Sequence, residues 1–323
     1  MTVSPAFRVL TAAYLGLILF ESLAPLSGWR EPVGPVFLVL FEWRYSRFDL
    51  AANIAAYAPF GFLLAMSFFP RLNVAGAILA AALIGTGVSF AVEVAQVYLP
   101  GRVSSKVDLA ANAAGSALGA LAALVASRTT ILSDLRDAWF TNGRWGDLGI
   151  ALVALLIIAS ANPATPLLGN LGKDAGTLAI VINTTLNCSA LGLYLAVIAR
   201  SRRQALPLLL TLIAAVMGLK LLAAWVLFRN QASGVNVETI MGVAYGFLLC
   251  ALLVWRRENV LPYCVAALVF ALAFTLWHGF SFPQLRADER RYQEVTRLIA
   301  EWWTTFALIH LAMRPRAAAI IGR

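Results

Sequence analysis

Two stretches of the chain repeat the same order of polar residues. Ser46-Arg47-Phe48-Asp49-Leu50-Ala51-Ala52-Asn53 returns 59 residues later as Ser105-Lys106-Val107-Asp108-Leu109-Ala110-Ala111-Asn112. Glu93 and Gln96 lie between the copies, Arg44 precedes the first, and Arg102 precedes the second. Arginine offers planar paired donors that match phosphate and carboxylate, and a helix start adds N–H groups and the positive end of the helix dipole. Arg44, Arg47, Arg102 and Lys106 above two helix starts therefore favour an anionic guest, with Asn53, Asn112 and Gln96 as further binding groups. The carboxylates beneath them suit either a phosphate bridged by a divalent cation or an arginine–carboxylate lattice around a sugar or amine. Glu93 is the best acid–base candidate, with Asp49 and Asp108 beside it. Burial and nearby arginines act on its proton affinity in opposite directions. No cofactor is implied, because neither an EF-hand-like nor a histidine-containing ligand set occurs; a divalent cation is the one addition the oxygen-rich set allows. His278 and His310 stand late in the chain, away from any serine or cysteine pairing, so a nucleophilic triad is unsupported.

A plainer reading competes. Ser-x-x-Asp ahead of an apolar run is a capping box, in which both side chains satisfy free N–H groups at the helix start. Capping accounts for the Ser and Asp of each copy but not for Asn53 and Asn112, which lie one turn further along the same face. At 1.5 Å per residue, these Asn and Glu93 sit roughly 9–10 Å inside their helix ends, and Asp49 and Asp108 about 4–5 Å. An ionisable group within a span costs at least about 2.5 kcal/mol and normally faces a bundle interior or a wet cavity. The layer is thus either interhelical glue or a ligand pocket.

The elements that hold it are membrane helices. The chain is 61% hydrophobic and 13% charged, which no single soluble core of this size could hide. Apolar runs predict ten spans, at 6–24, 50–69, 74–99, 109–126, 146–161, 176–199, 206–228, 237–255, 260–280 and 298–313. Each repeat copy opens an even-numbered span, so the first four helices are two parallel helical hairpins. The expected fold is an all-α polytopic membrane bundle with a four-helix domain at 1–127, a cytoplasmic connector at 128–145 and a six-helix region at 146–323. The basic residues, 22 Arg and 3 Lys, cluster at span ends. The short connections Arg200-Ser201-Arg202-Arg203 and Arg256-Arg257 put both termini in the cytoplasm. Membrane topology explains the positive charge, so no nucleic-acid partner is expected. Cys188, Cys250 and Cys264 all fall inside apolar runs, against a disulfide framework or zinc site.

The order Asp49…Asn53…Pro59-Phe60-Gly61, Glu93-x-x-Gln96, Pro100-x-Arg102, Asp108-x-x-x-Asn112-x-x-Gly115 resembles the VanZ-like family of bacterial membrane proteins over roughly residues 8–127. The founding relation of that family is to a protein that lowers susceptibility to teicoplanin. The resemblance implies a small helical bundle in the bacterial plasma membrane and a setting in the cell envelope, with a link to glycopeptide tolerance and antibiotic resistance. It does not imply a reaction.

In the last six helices, Lys220 is expected to snorkel or to pair with Glu238, and Trp139, Phe140 and Trp145 to anchor at the interface. A basic amphipathic segment at 281–297 is expected to lie against lipid headgroups. The leading expectation for function is an outward-facing pocket that binds, and in one version processes, the headgroup of a phospholipid, polyprenyl phosphate or lipid-linked glycan. Arg102 and Arg47 would clamp phosphate there. A transporter or lipid flippase, supported by Gly85, Gly87 and the Asn162-Pro163 break, is the first alternative. A non-enzymatic scaffold of an envelope complex is the second.

Overall fold

The computed structural model describes residues 5–23, 26–32, 47–69, 71–99, 102, 104–160, 167–168, 171, 176–226, 235–278 and 291–315. Among these the regular elements are helices: α1 (Pro5–Leu23), α2 (Arg47–Phe68), α3 (Val74–Val97), α4 (Lys106–Ser127), α5 (Ile131–Trp139), α6 (Arg144–Ser160), α7 (Thr177–Ile198), α8 (Ala205–Val226), α9 (Val237–Arg256), α10 (Leu261–Trp277) and α11 (Arg291–Ala312). Extended pairing among the described residues is limited to an isolated antiparallel bridge between Phe140 and Ala199. Six helices are long and apolar enough to cross a bilayer, and the stretches 7–20 and 261–277 are shorter apolar helices. The protein is an all-α polytopic membrane bundle.

Each predicted span falls on one helix. Two local readings change. Residues 131–139 of the connector form α5. The segment expected to lie flat at 281–297 ends inside α11, which already begins at Arg291; residues 281–290 lie outside the described set, as does Asn162-Pro163.

The described helices divide into two compact units, α1–α4 up to Asp134 and α6–α11 beyond Leu135. In the first unit the repeat-related α2 and α4 make the most extensive packing. Small residues set that contact. A Cβ on Gly61 would stand 2.0 Å from the Ser116 carbonyl oxygen, and one on Gly119 only 1.8 Å from that of Ala58. Gly115 faces Ile54 and Tyr57, so numbering rises together along both helices and they run parallel. Gly115-x-x-x-Gly119 is thus a small-residue interface that lets two backbones touch. Phe60, Leu64, Ala120 and Ala123 form the apolar core beneath. Large side chains such as Leu79, Leu83 and Val125 face outward, as lipid requires.

In the second unit α7 is central. From Cys188 to Ile198 all of its residues are buried, and α9 and α10 make its widest contacts. Its core is built from large side chains: Leu193, Tyr194, Leu195, Ile198, Leu209, Leu268 and Trp303.

Candidate functional site

The polar layer forms where α3 ends and α4 begins. Ser105 caps α4 by accepting from the Val107 N–H at 3.2 Å, a role its sequence position predicts. The rest of the capping box is rewired. The Ser105 N–H, which the acid three residues on would accept in such a box, donates instead to Glu93 Oε2 of α3 at 2.9 Å. The same oxygen accepts from the Ser104 hydroxyl at 2.9 Å. A buried carboxylate from one helix therefore closes the start of the next. Glu93 is 3% exposed, and Ser104 and Ser105 equally so. Its other oxygen, Oε1, accepts no hydrogen bond from the described residues. The charges that act on Glu93 are Asp108 and Arg102, of opposite sign.

One turn below, Asn112 donates through Nδ2 to Ser89 Oγ at 3.0 Å, and both are buried. This ties the second repeat copy to α3 at a second level. Gln96 reaches α1 by donating to the Ser22 carbonyl oxygen at 2.9 Å, while the Arg30 N–H donates to the Tyr98 carbonyl oxygen at 3.0 Å. The ends of α1 and α3 and the start of α4 are thereby drawn to one end of the unit.

Glu93, Asp108 and Arg102 are brought together as the spacing predicts. Asn112 lies in the layer beneath, and Gln96 is turned to α1. Lys106 is the first residue of α4, and Asn53 is half-buried on α2. Arg44 and the side chains of Arg47 and Asp49 lie outside the described residues. Ser104, Ser89 and Tyr57 belong to the same polar region and were not singled out from sequence. Ser89 was findable, since it lies one turn before Glu93 on the same face. Gly85, another turn back, receives Ser116 Oγ, 2.2 Å from where a Cβ would stand. Gly87 faces open space.

The second unit's polar residues do something different. His310 Nε2 pairs with the Trp145 carbonyl oxygen at 2.8 Å, and the Trp145 indole N–H donates to the His310 carbonyl oxygen at 3.0 Å. The rings stack with centroids 4.6 Å apart. Tyr194 Oη meets His310 Nδ1 at 2.8 Å. Trp145, expected at the interface, is half-buried in the first turn of α6 and joined to His310 there. Lys220, expected to snorkel or to pair with Glu238, is fully buried. Arg136 holds the buried Asp147 through Nε and Nη2 at 3.1 and 2.7 Å. Burial opposes the charge on Arg136, but hydrogen bonds to Asp137 and Asp147 outweigh it and hold the guanidinium above the usual arginine range. Among the described residues no group of three or more His, Cys, Asp or Glu is placed to hold a metal.

Residues 7–127, which span α1–α4, match the family VanZ/LLP1. No curated protein and no solved structure matches the chain. The family match ends at the last residue of α4, so the Glu93 site lies wholly inside it and the His310 cluster wholly outside.

Proposed function

We propose that the VanZ-type unit binds the anionic headgroup of an envelope lipid, a phospholipid, polyprenyl phosphate or lipid-linked glycan, at the end where α3 hands over to α4. The observation that carries this reading is Glu93: a carboxylate 3% exposed, fixed through one oxygen at the start of α4, with Arg102 and Asp108 acting on it. A structural cap alone would need only Ser105 and Asp108. Keeping a carboxylate within an apolar bundle costs about 2.5 kcal/mol or more; Arg102 beside it and the free N–H groups of the α4 start supply the positive field an anionic headgroup needs. Arg102 and Lys106 supply donors to the phosphate. Glu93 and Asn53 then serve the polar groups beside the phosphate. In this reading the site opens to the outer face of the bacterial plasma membrane, with both termini in the cytoplasm.

Mass spectrometry of lipids retained by the gently purified protein tests it, wild type beside Arg102→Ala and Asp108→Asn. A phosphate-bearing lipid enriched on wild type and lost from both variants, each shown to keep its melting transition, is the expected result. Equal lipid content on all three folded proteins would refute the pocket and leave the layer as interhelical glue.

A further inference from the structure

Below Glu93 the polar residues continue inward. Glu93, Ser89 and Gly85 follow one another at helical spacing on one buried face of α3, and on α4 the half-buried Asp108 leads at the same spacing to the buried Asn112 and Ser116. Tyr57 of α2 closes the third side: its hydroxyl lies close enough to Ser89 and Glu93 to interact with both, without a well-aligned hydrogen bond to either. Three atoms in this column are buried without a hydrogen-bond partner, namely Tyr57 Oη, Asn112 Oδ1 and Ser116 Oγ. Their residues are 4%, 4% and 0% exposed. They converge on α3, because Asn112 is bonded to Ser89 and Ser116 Oγ fills the notch at Gly85.

Buried polar atoms left unsatisfied are rare in native proteins, and inside a bilayer nothing outside the bundle can satisfy them. The three atoms make a complementary set. Two hydroxyls can each give a hydrogen, and one amide oxygen can only receive one. A water molecule meets all three, taking the hydroxyl hydrogens and donating to Asn112 Oδ1, with Ser89 as a further partner. An apolar guest would leave every one of them unmet.

We infer that α2, α3 and α4 enclose a hydration column continuous with Glu93. It lets water and protons reach Ser116, about 12 Å along the helix axis from the Glu93 level. This stands apart from the headgroup reading, because it rests on neutral residues beneath the charged layer and holds whether or not a lipid binds above.

The test uses the full-length protein in detergent. Brief X-ray irradiation makes hydroxyl radicals from water, including ordered internal water, and mass spectrometry then locates the oxidised side chains. Tyr194 is the built-in control, since it is equally buried but bonded to His310 in an apolar aromatic core. Tyr57 is expected to be oxidised at least several-fold faster than Tyr194; a Tyr57 as silent as Tyr194 overturns the inference. Melting of Tyr57→Phe and Ser116→Ala reads the same point by sign. If the column is hydrated, each variant loses a hydrogen bond and melts lower. If it is dry, each removes an unsatisfied hydroxyl and melts higher, which would count against the column.

Discussion

Two buried tyrosines separate the halves of this molecule. Tyr194 is bonded to His310 and set edge-on to Trp303 at a centroid distance of 5.5 Å. Tyr57 packs on Gly115 and edge-on to Phe60 at 6.3 Å, with its hydroxyl turned to Ser89 but in no well-aligned hydrogen bond. The second unit gains cohesion from large apolar and aromatic side chains beside a close approach at Gly242 and Gly246, and its Trp145–His310–Tyr194 cluster is closed upon itself. The first is held by backbones in contact, and its polar groups form an incomplete set that points toward one end. Thr184 and Thr304 of the second unit also bury unmatched hydroxyls, but in the first unit three such atoms line up beneath a buried carboxylate.

The sharpest way to break this comparison is to add bulk. Gly119→Leu would drive a side chain into the Ala58 carbonyl, 1.8 Å from the Cβ position, and backbone cannot yield there. Loss of monodisperse protein on size exclusion is expected. Gly149→Ala in the second unit meets only the side chains of Ile198 and His310, at 2.9 Å and beyond, which can shift. A cost of about 1–3 kcal/mol is expected for such overpacking, read as a lowered melting temperature with folded protein retained. Equal tolerance at both sites would end the distinction.

Next in size is Arg136→Ala. Asp147 is 2% exposed, so removal of its partner leaves a buried carboxylate uncompensated, a loss of about 3 kcal/mol or more in thermal denaturation. Because the pKa of Arg136 is raised in the folded state, the contribution of its charge is fully present below the unfolded value. It fades only as pH rises through the folded one, above the usual arginine range. Alkaline titration to pH 10 should therefore leave the penalty of the variant unchanged. A smaller effect is expected from His310→Ala, which strands Tyr194 Oη at about 1–3 kcal/mol. Adding Tyr194→Phe should recover part of that loss, a non-additivity that a packing role alone would not produce.

How much of this was legible in sequence follows from the same contrast. The repeat exposed the first unit because its polar residues recur at fixed spacing, and spacing survives in one dimension. Asp108 and Asn112 were singled out that way, Glu93 by its depth within the third span and Arg102 by its place ahead of the second copy. The small-residue stripe Gly115-x-x-x-Gly119 was also written there, yet it carried no charge to attract notice. In the second unit, His310 and Trp145 are separated by 165 positions and Tyr194 and His310 by 116, so their partnership follows only from folding. Lys220 was expected to snorkel or to pair with Glu238, and tertiary packing buries it fully. Ser105 was read correctly as a cap, but the donor of its closing carboxylate lies on another helix, which the local pattern cannot encode.

The smallest effect expected is the one that most sharpens the functional reading. Glu93→Gln keeps an oxygen that can accept from Ser104 and from the Ser105 N–H, so the start of α4 stays closed. Charge-assisted bonds become neutral ones, roughly half as strong, and the melting temperature should fall only slightly, by an amount equivalent to about 1 kcal/mol. Glu93→Leu removes both bonds and should cost distinctly more. If Glu93 serves the helix joint alone, lipid retention should track these stabilities, with Gln close to wild type. If Glu93 also sets the charge of a headgroup site beside Arg102, Gln should change which lipids co-purify while the fold persists. A folded Glu93→Gln with an altered lipid profile would therefore separate the site from the scaffold that holds it.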